Sequence, residues 1–370
     1  MSSTITVGKP LDDGVRTLLK GMLEKGKVRA VLCLRRLENG GGVAHCLVTD
    51  PEALEQAVPL LPIMPSQGGQ VLSHLTQEEP FNDPVAAVVR PCEVRAFKEL
   101  VKRNKGFLDN LVLISPECPG VLPVQRATGD PLDKELKAYW KRASEGKNAD
   151  GIRPVCTGCH LFEPNGVDMT LRLVGRSDLD KNLTVRLDTE RAREMVKDLG
   201  LGKAKDDGKD PKGLEALRTV RAKAREDLRG ELDFSGKDMA GFIRTFGKCI
   251  GCHACSKVCP ICYCQMCYFE AKAAAAGPTW WRNDLRKKGA TRAPPGTVFF
   301  HVGRLLHMGI SCVACGMCED VCPVDIPVGR IFKRVGEASQ EVFDYVPGRD
   351  AEEEIPIRTF VEDELHEVER

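Results

Sequence analysis

The sequence predicts an α/β domain at the N-terminal end and an α+β domain toward the C-terminal end, joined by a charged helical connector. Three observations predict this division. A strand–helix–strand pattern occupies 85–114, dense alternating charge fills 183–232, and one cysteine spacing occurs twice, at 249–259 and at 312–322. The expected boundaries are 1–182 for the α/β domain, 183–239 for the connector, 240–345 for the cysteine-rich domain and 346–370 for an acidic tail.

At 370 residues the chain is long enough for two or three cores, and 42% apolar against 29% charged residues is the balance of a folded globular protein. Lys plus Arg (54) nearly equals Asp plus Glu (53), so no global field favours nucleic acid or an anionic membrane surface as a partner. Met1 to Arg16 lacks a signal-peptide pattern, and no apolar run approaches the roughly 20 residues that span a bilayer. A cytoplasmic protein is therefore expected. Its 17 cysteines would stay reduced there unless they bind metal, so the count points to metal rather than to disulfides.

Leu11, Val15, Leu18, Leu19, Met22 and Leu23 recur at helical spacing, and strand-like segments follow at Val28–Leu34 and Val43–Val48. Ser66-Gln67-Gly68-Gly69 then enters an expected helix at Gln70–Leu75, where backbone amides could face a phosphate or simply start the helix. The run Val85–Val89, the helical face Val94, Phe97, Leu100 and Val101, and the run Leu111–Ile114 form a β–α–β unit, hence an expected parallel strand pair. From 183 to 232 the charge pattern, including Lys203–Lys212 and the helical stretch Gly213–Leu228, reads as a solvated connector with a turn. The Glu- and Asp-rich end from Arg349 reads as a solvated tail, with docking to a partner subunit as the alternative.

The repeated spacing is C-x2-C-x2-C-x3-C-P, the run in which three cysteines hold one [4Fe–4S] cluster and the fourth reaches the other. Two copies therefore imply a ferredoxin-like pair: Cys249, Cys252, Cys255 and Cys322 for cluster 1, and Cys312, Cys315, Cys318 and Cys259 for cluster 2. Zinc motifs pair their cysteines in twos and do not carry this triplet with Cys-Pro twice over. Gly251, Ala254, Ala314 and Gly316 are small enough to let backbone amides near the sulfurs. Residues 260–311 form an insertion between the motifs, in which His301–Met308 reads as a helix; His301 and His307 are assigned to packing or surface roles rather than to a cluster.

Cys92 and Cys118 each follow one strand of the β–α–β unit by a similar step, so parallel neighbours would deliver both to one sheet edge, where open α/β sheets hold their ligands. With the pair Cys156 and Cys159 they could hold a third [4Fe–4S] cluster; a zinc site, a partial site and buried unligated thiols are the alternatives. Cys262, Cys264 and Cys267 lie just beyond the first motif and offer a further cluster position without an evident fourth ligand; Cys33 or Cys46 could complete it, and nothing in the spacing selects either one. A structural or partner-facing role competes there.

The stretch Val85-Ala86-Ala87-Val88-Val89-Arg90-Pro91-Cys92-Glu93-Val94-Arg95-Ala96-Phe97 resembles the strand–Pro-Cys–helix signature of the beta-subunit family of deazaflavin-reducing hydrogenases and formate dehydrogenases. Cys156-Thr157-Gly158-Cys159 followed by Val167-Asp168-Met169-Thr170, and the second cysteine run with Asp325-Ile326-Pro327-Val328, are similar to the same family. The resemblance implies an oxidoreductase subunit carrying FAD beside its clusters, exchanging electrons between a catalytic formate dehydrogenase or hydrogenase subunit and a soluble hydride carrier, a deazaflavin or NAD(P). Flavin contacts are then expected at Ser66, Gln67, Gly68, Gly69 and Arg90. No G-x-G-x-x-G fingerprint is present, Gly40–Gly42 being only a Gly-rich turn, and no molybdopterin or nickel constellation is identified. The rival readings are a flavin-free electron wire to a heterodisulfide-reductase-like partner and an electron-transfer subunit of a sulfite or polysulfide reductase.

Overall fold

The computed structural model describes residues 3–38, 42–127, 132–203, 212–232, 239–271, 277–290, 296–356 and 358. The Gly-rich turn at 40–42, most of the charged stretch 203–212 and the end of the acidic tail lie largely outside them. The chain divides into two compact units, one formed by Met1–Asp227 with Gly348–Glu354, the other by Leu228–Pro347 with Ile355–Arg370.

The first unit is built on one mixed sheet. In chain order its elements are β1 (Ser3–Val7), α1 (Leu11–Glu24), β2 (Ala30–Arg36), β3 (Val43–Val48), α2 (Gly68–Thr76), β4 (Val85–Val88), α3 (Pro91–Val101), β5 (Leu111–Pro116), α4 (Leu132–Ser144), α5 (Pro154–Thr157), β6 (Met169–Arg172), β7 (Leu183–Leu187), α6 (Glu190–Val196) and β8 (Gly202–Lys203). The strand order is β3-β2-β4-β5-β6-β7-β1-β8. The centre, β2-β4-β5-β6, is parallel, with Val85 opposite Leu111 and Val88 opposite Ile114, as the β–α–β pattern predicts. The flanking strands β3, β7, β1 and β8 are antiparallel.

The apolar runs of β2, β4 and β5 are continuous because both sheet faces are covered. Val31, Ala86 and Val112 face the core containing Val15, Leu18, Leu19 and Met22 of α1. Their neighbours Leu32, Ala87 and Leu113 face Leu72, Val94 and Phe97 of α2 and α3. Burying Phe97 alone is worth about 1.5–3 kcal/mol. Helix α3 begins with Pro91 at its first position and a capping box in which the Glu93 carboxylate accepts the Arg90 N–H at 2.7 Å.

The expected boundary at 182 needs correction. Strand β7 begins at Leu183 and pairs with both β1 and β6, so 183–187 is sheet rather than connector. Helix α7 (Lys212–Glu231) also starts inside this unit, with Leu214, Leu217 and Arg221 fully or nearly fully buried. Its first turn approaches closely because Gly213 has no side chain: a Cβ there would lie 2.5 Å from the Cα of Gly175, which sits at φ +71°. The acidic stretch is not wholly solvated either, since the Gly348 N–H donates to Glu99 of α3 at 2.9 Å and Glu353 pairs with Lys102.

The second unit contains α8 (Met239–Phe246), α9 (Ala254–Lys257), α10 (Pro278–Lys288), α11 (Thr297–Met308), α12 (Met317–Asp320) and α13 (Val328–Val342). Among its described residues there is no strand, so the α+β expectation is not realised there. Each motif contains one short helix, α9 or α12, and α8, α11 and α13 supply the core, with Phe246, Phe300, Ile331 and Phe332 buried.

Candidate metal centres

The two cysteine runs adopt the same backbone course. The residue two places after the first cysteine takes a left-handed conformation in each, Gly251 at φ +68° and Ala314 at φ +55°, as does the residue four places after it, His253 at +57° and Gly316 at +76°. Short helices α9 and α12 follow at equivalent positions. These turns aim backbone amides at sulfur: Gly251 N–H lies 3.4 Å from Cys249 Sγ, and Ile326 N–H 3.3 Å from Cys322 Sγ.

Between the runs lie two partly open cavities. One encloses about 430 Å³, its open mouth included, and is lined by Cys312, Cys315 and Cys318 together with Cys259. The other, about 330 Å³, is lined by Cys249, Cys252 and Cys255 together with Cys322. Each cradle thus draws three cysteines from one run and the last cysteine of the other, the exchange that the spacing implies. Burial pushes the Cys255 thiol up to about 11, with Arg304 opposing, and raises Cys249 and Cys318 as well. A bound metal displaces such protons, and four cysteines around each cavity are the donor set of an iron–sulfur cluster. The thiolates of a four-iron cube stand farther apart than the ligands of one ion, and no group of three or more His, Cys, Asp or Glu among the described residues is drawn together tightly enough to hold a single ion.

Helix α11, from the insertion, presents one face to both cradles. His301 Nε2 lies 3.5 Å from Cys249 Sγ, and its ring stacks on Phe246 at 4.3 Å between centroids. Burial lowers its pKa to about 4, so it is neutral at physiological pH. Arg304 donates from Nη1 to Cys255 Sγ and from Nη2 to the Cys255 carbonyl, both at 3.1 Å. Met308 Sδ lies 3.8 Å from Cys259 Sγ. His301, expected from sequence to pack or lie at the surface, instead approaches a sulfur, and Arg304 belongs to no sequence motif. A signal was present: Arg304 falls four residues after Phe300 and four before Met308, a lone cation on an apolar stripe.

In the first unit, Cys92 lies in the first turn of α3 and Cys118 two residues past β5, so the parallel pair does deliver both to one sheet edge. Cys156 sits in α5 and Cys159 two residues beyond it. The Cys156 thiol, pushed up to about 11 by burial, lies in the field of both Cys118 and Cys159, and Arg90 lies in that of both Cys92 and Cys118. Glu117 fixes this edge: its buried carboxylate accepts the N–H groups of Leu173 and Val174 at 2.9 and 3.0 Å. Arg221 of α7 closes it, donating to the Cys118 carbonyl at 3.1 Å and stacking 4.6 Å from the Phe162 ring centroid. Asp168 is a sheet bridge, accepting from Leu113 N–H and from the Thr189 hydroxyl, both at 2.8 Å.

The residues expected to meet a flavin are occupied by internal partners. At the start of α2 the Gly68 N–H donates to Glu93, and the Gly69 and Gln70 N–H groups donate to the Gln67 side chain, at 2.9, 2.7 and 3.2 Å. Ser66 Oγ meets His45 Nδ1 at 3.0 Å, and the buried Arg90 guanidinium donates to the carbonyls of Leu61 and Ile63. A phosphate there would have to displace these acceptors. Of the remaining cysteines, Cys262 abuts Met308, Cys264 is exposed, and Cys267 precedes a short turn. Cys33 and Cys46 face each other across β2 and β3, and burial pushes the Cys33 thiol up to about 12, the behaviour of a core residue.

No family model matches the chain. The F420-dependent formate dehydrogenase subunit beta of Methanocaldococcus jannaschii is 28% identical over 371 residues, covering 91% of each chain. Among solved structures, a chain of the F420-reducing [NiFe] hydrogenase complex from Methanosarcina barkeri is 15% identical with a TM-score of 0.44, covering 64% of this chain and 93% of that one. No helix among the described residues is long and apolar enough to cross a membrane. The F420-dependent formate dehydrogenase 1 subunit beta of Methanococcus maripaludis is 30% identical over 373 residues, again covering 91% of each chain. The resemblance read from the Pro-Cys and cysteine-run motifs is thereby borne out across nearly the full length, and the chain belongs to the beta-subunit family of the F420-dependent formate dehydrogenases.

Proposed function

We propose that the chain is the electron-transferring iron–sulfur subunit of a cytoplasmic formate dehydrogenase or hydrogenase complex, passing electrons between a catalytic partner and a soluble hydride carrier, either the deazaflavin of its relatives' names or NAD(P). The observation that carries this reading is the interleaving of the two cysteine runs around two separate cradles. Cys249, Cys252, Cys255 and Cys322 would hold one [4Fe–4S] cluster and Cys312, Cys315, Cys318 and Cys259 the other, with Cys92, Cys118, Cys156 and Cys159 holding a third. When bound, the clusters would carry single electrons, and the FAD that the resemblance implies would supply the exchange between these and the electron pair of a hydride. The chain's own part is to fix ligand positions, to keep water from the sulfurs with Phe300 and Phe332, and to set potential through donors to sulfur.

Anaerobic iron, sulfide and flavin analysis of one sample tests this. About twelve irons per chain are expected from three cubanes, about eight if the third set binds none, and about sixteen if Cys262, Cys264 and Cys267 anchor another. Fewer than about eight would refute the reading. One observation favours a second reading, a flavin-free wire to a heterodisulfide-reductase-like partner: the amides of Gly68 and Gly69 and the Arg90 guanidinium already have internal partners. Acid treatment that releases no flavin would select that wire.

A further inference from the structure

The insertion between the two cysteine runs does more than link them. His301, Arg304 and Met308 share one face of α11, at spacings of three and four residues, and that face runs along both cradles. Arg304 is 3% exposed. Its guanidinium donates to Cys255, a cysteine of one cradle, while its side chain lines the other beside Cys259, Cys312 and Cys318. Phe332 and Phe300 flank it, with ring centroids 4.8 and 5.4 Å from Cζ. Its Nε has no hydrogen-bond partner among the described residues. A fully buried cation without a carboxylate is costly unless anions occupy the space beside it.

We propose that Arg304 is a shared potential-setting residue: one fixed cation that favours the reduced state of both ferredoxin-motif clusters. This rests on the cluster reading above. A cysteine-ligated cubane is anionic and gains one further negative charge on reduction. A cation held in a water-poor site, donating to one sulfur and facing the second cradle, therefore stabilises the reduced form more than the oxidised form. Arg304 itself gains neither electron nor proton. Because the charge is shared, its removal moves two potentials together, whereas a donor that touches one sulfur, such as His301 on Cys249, reaches one cradle only.

The test is a redox titration of the full-length, cluster-loaded chain followed by electron paramagnetic resonance, comparing the native protein with Arg304→Gln, Arg304→Lys and the surface control Lys287→Gln. For Arg304→Gln at full iron content, both midpoints should fall, with at least a tenfold loss in the reduced-to-oxidised ratio at fixed potential, about 59 mV for one electron. Arg304→Lys should fall less, and Lys287→Gln should not move. Unchanged midpoints in Arg304→Gln, or a shift in only one cluster, overturn the proposal. Should the variants lose iron, the native chain labelled with 15N-arginine decides: nitrogen coupling to the reduced clusters is expected in pulsed resonance spectra, and its absence overturns the proposal. Fewer than about eight irons in the native chain would instead defeat the cluster reading, which the same samples report separately.

Discussion

Replacing Arg221 by methionine separates a packed α7 from a solvated connector. Arg221 is 1% exposed; its Nε donates to Asn148 Oδ1 at 3.0 Å and its Nη1 to the Cys118 carbonyl at 3.1 Å. Hydrogen bonds to a charged group are worth about 1.5–3 kcal/mol each, so truncation removes a gross 3–6 kcal/mol. Part of this returns, because a buried guanidinium no longer has to be desolvated and methionine fills much of the same space. A net loss of about 2 kcal/mol remains, roughly thirtyfold in a local opening equilibrium at about 1.4 kcal/mol per decade. Hydrogen–deuterium exchange of the amides in 212–227, read by mass spectrometry under anaerobic conditions, should therefore speed up about thirtyfold in Arg221→Met. A surface helix would respond within about 0.5 kcal/mol, or roughly twofold. An acceleration no larger than that would refute the packing of α7 against the Cys118 edge and restore the solvated-connector expectation.

Two further outcomes follow from the geometry. Cys322→Ser should perturb the resonance spectrum of the cluster otherwise held by Cys249, Cys252 and Cys255, and Cys259→Ser that of the cluster held by Cys312, Cys315 and Cys318; each variant disturbing the cluster of its own run would overturn the exchanged ligation. Burial raises the Asp12 carboxyl to about 6, against the Leu60 N–H that it accepts at 2.7 Å. A raised folded pKa gives stability that is complete below the unfolded value near 4 and is lost as pH rises through about 6. The thermal midpoint of the first unit should therefore fall between about pH 5 and pH 7, by about 1–2 kcal/mol of stability, and Asp12→Asn should abolish that fall. An equal fall in the variant would show that Asp12 is not its source.

Much of the α/β unit was legible because its signals are local. The period of α1, the apolar runs of β2, β4 and β5, and Pro91 at the start of α3 each act within a few residues. The errors arose where distant pairing decided the outcome. Leu183–Leu187 carries a strand inside a charge-rich segment, and only its neighbours β1 and β6 make it one. The charged face of α7 dominates its composition, while three residues, Leu214, Leu217 and Arg221, determine where it packs. In the second unit the described residues form helices and no strand, although its sequence reads as α+β.

What the sequence carried by itself was a ligand pattern: eight cysteines in two copies of the spacing C-x2-C-x2-C-x3-C-P, and four more around a strand–helix–strand pattern. A ligand motif is read from spacing because the metal imposes it along the chain. What only the tertiary structure decided was the environment of those sulfurs. That Arg304 and His301 of an insertion reach Cys255 and Cys249, that Arg221 covers Cys118, and that the amides of α2 are already satisfied by Gln67 and Glu93 all depend on contacts between residues far apart in the chain. Such contacts follow from how helices cross and which groups burial forces to pair, and no local pattern records them.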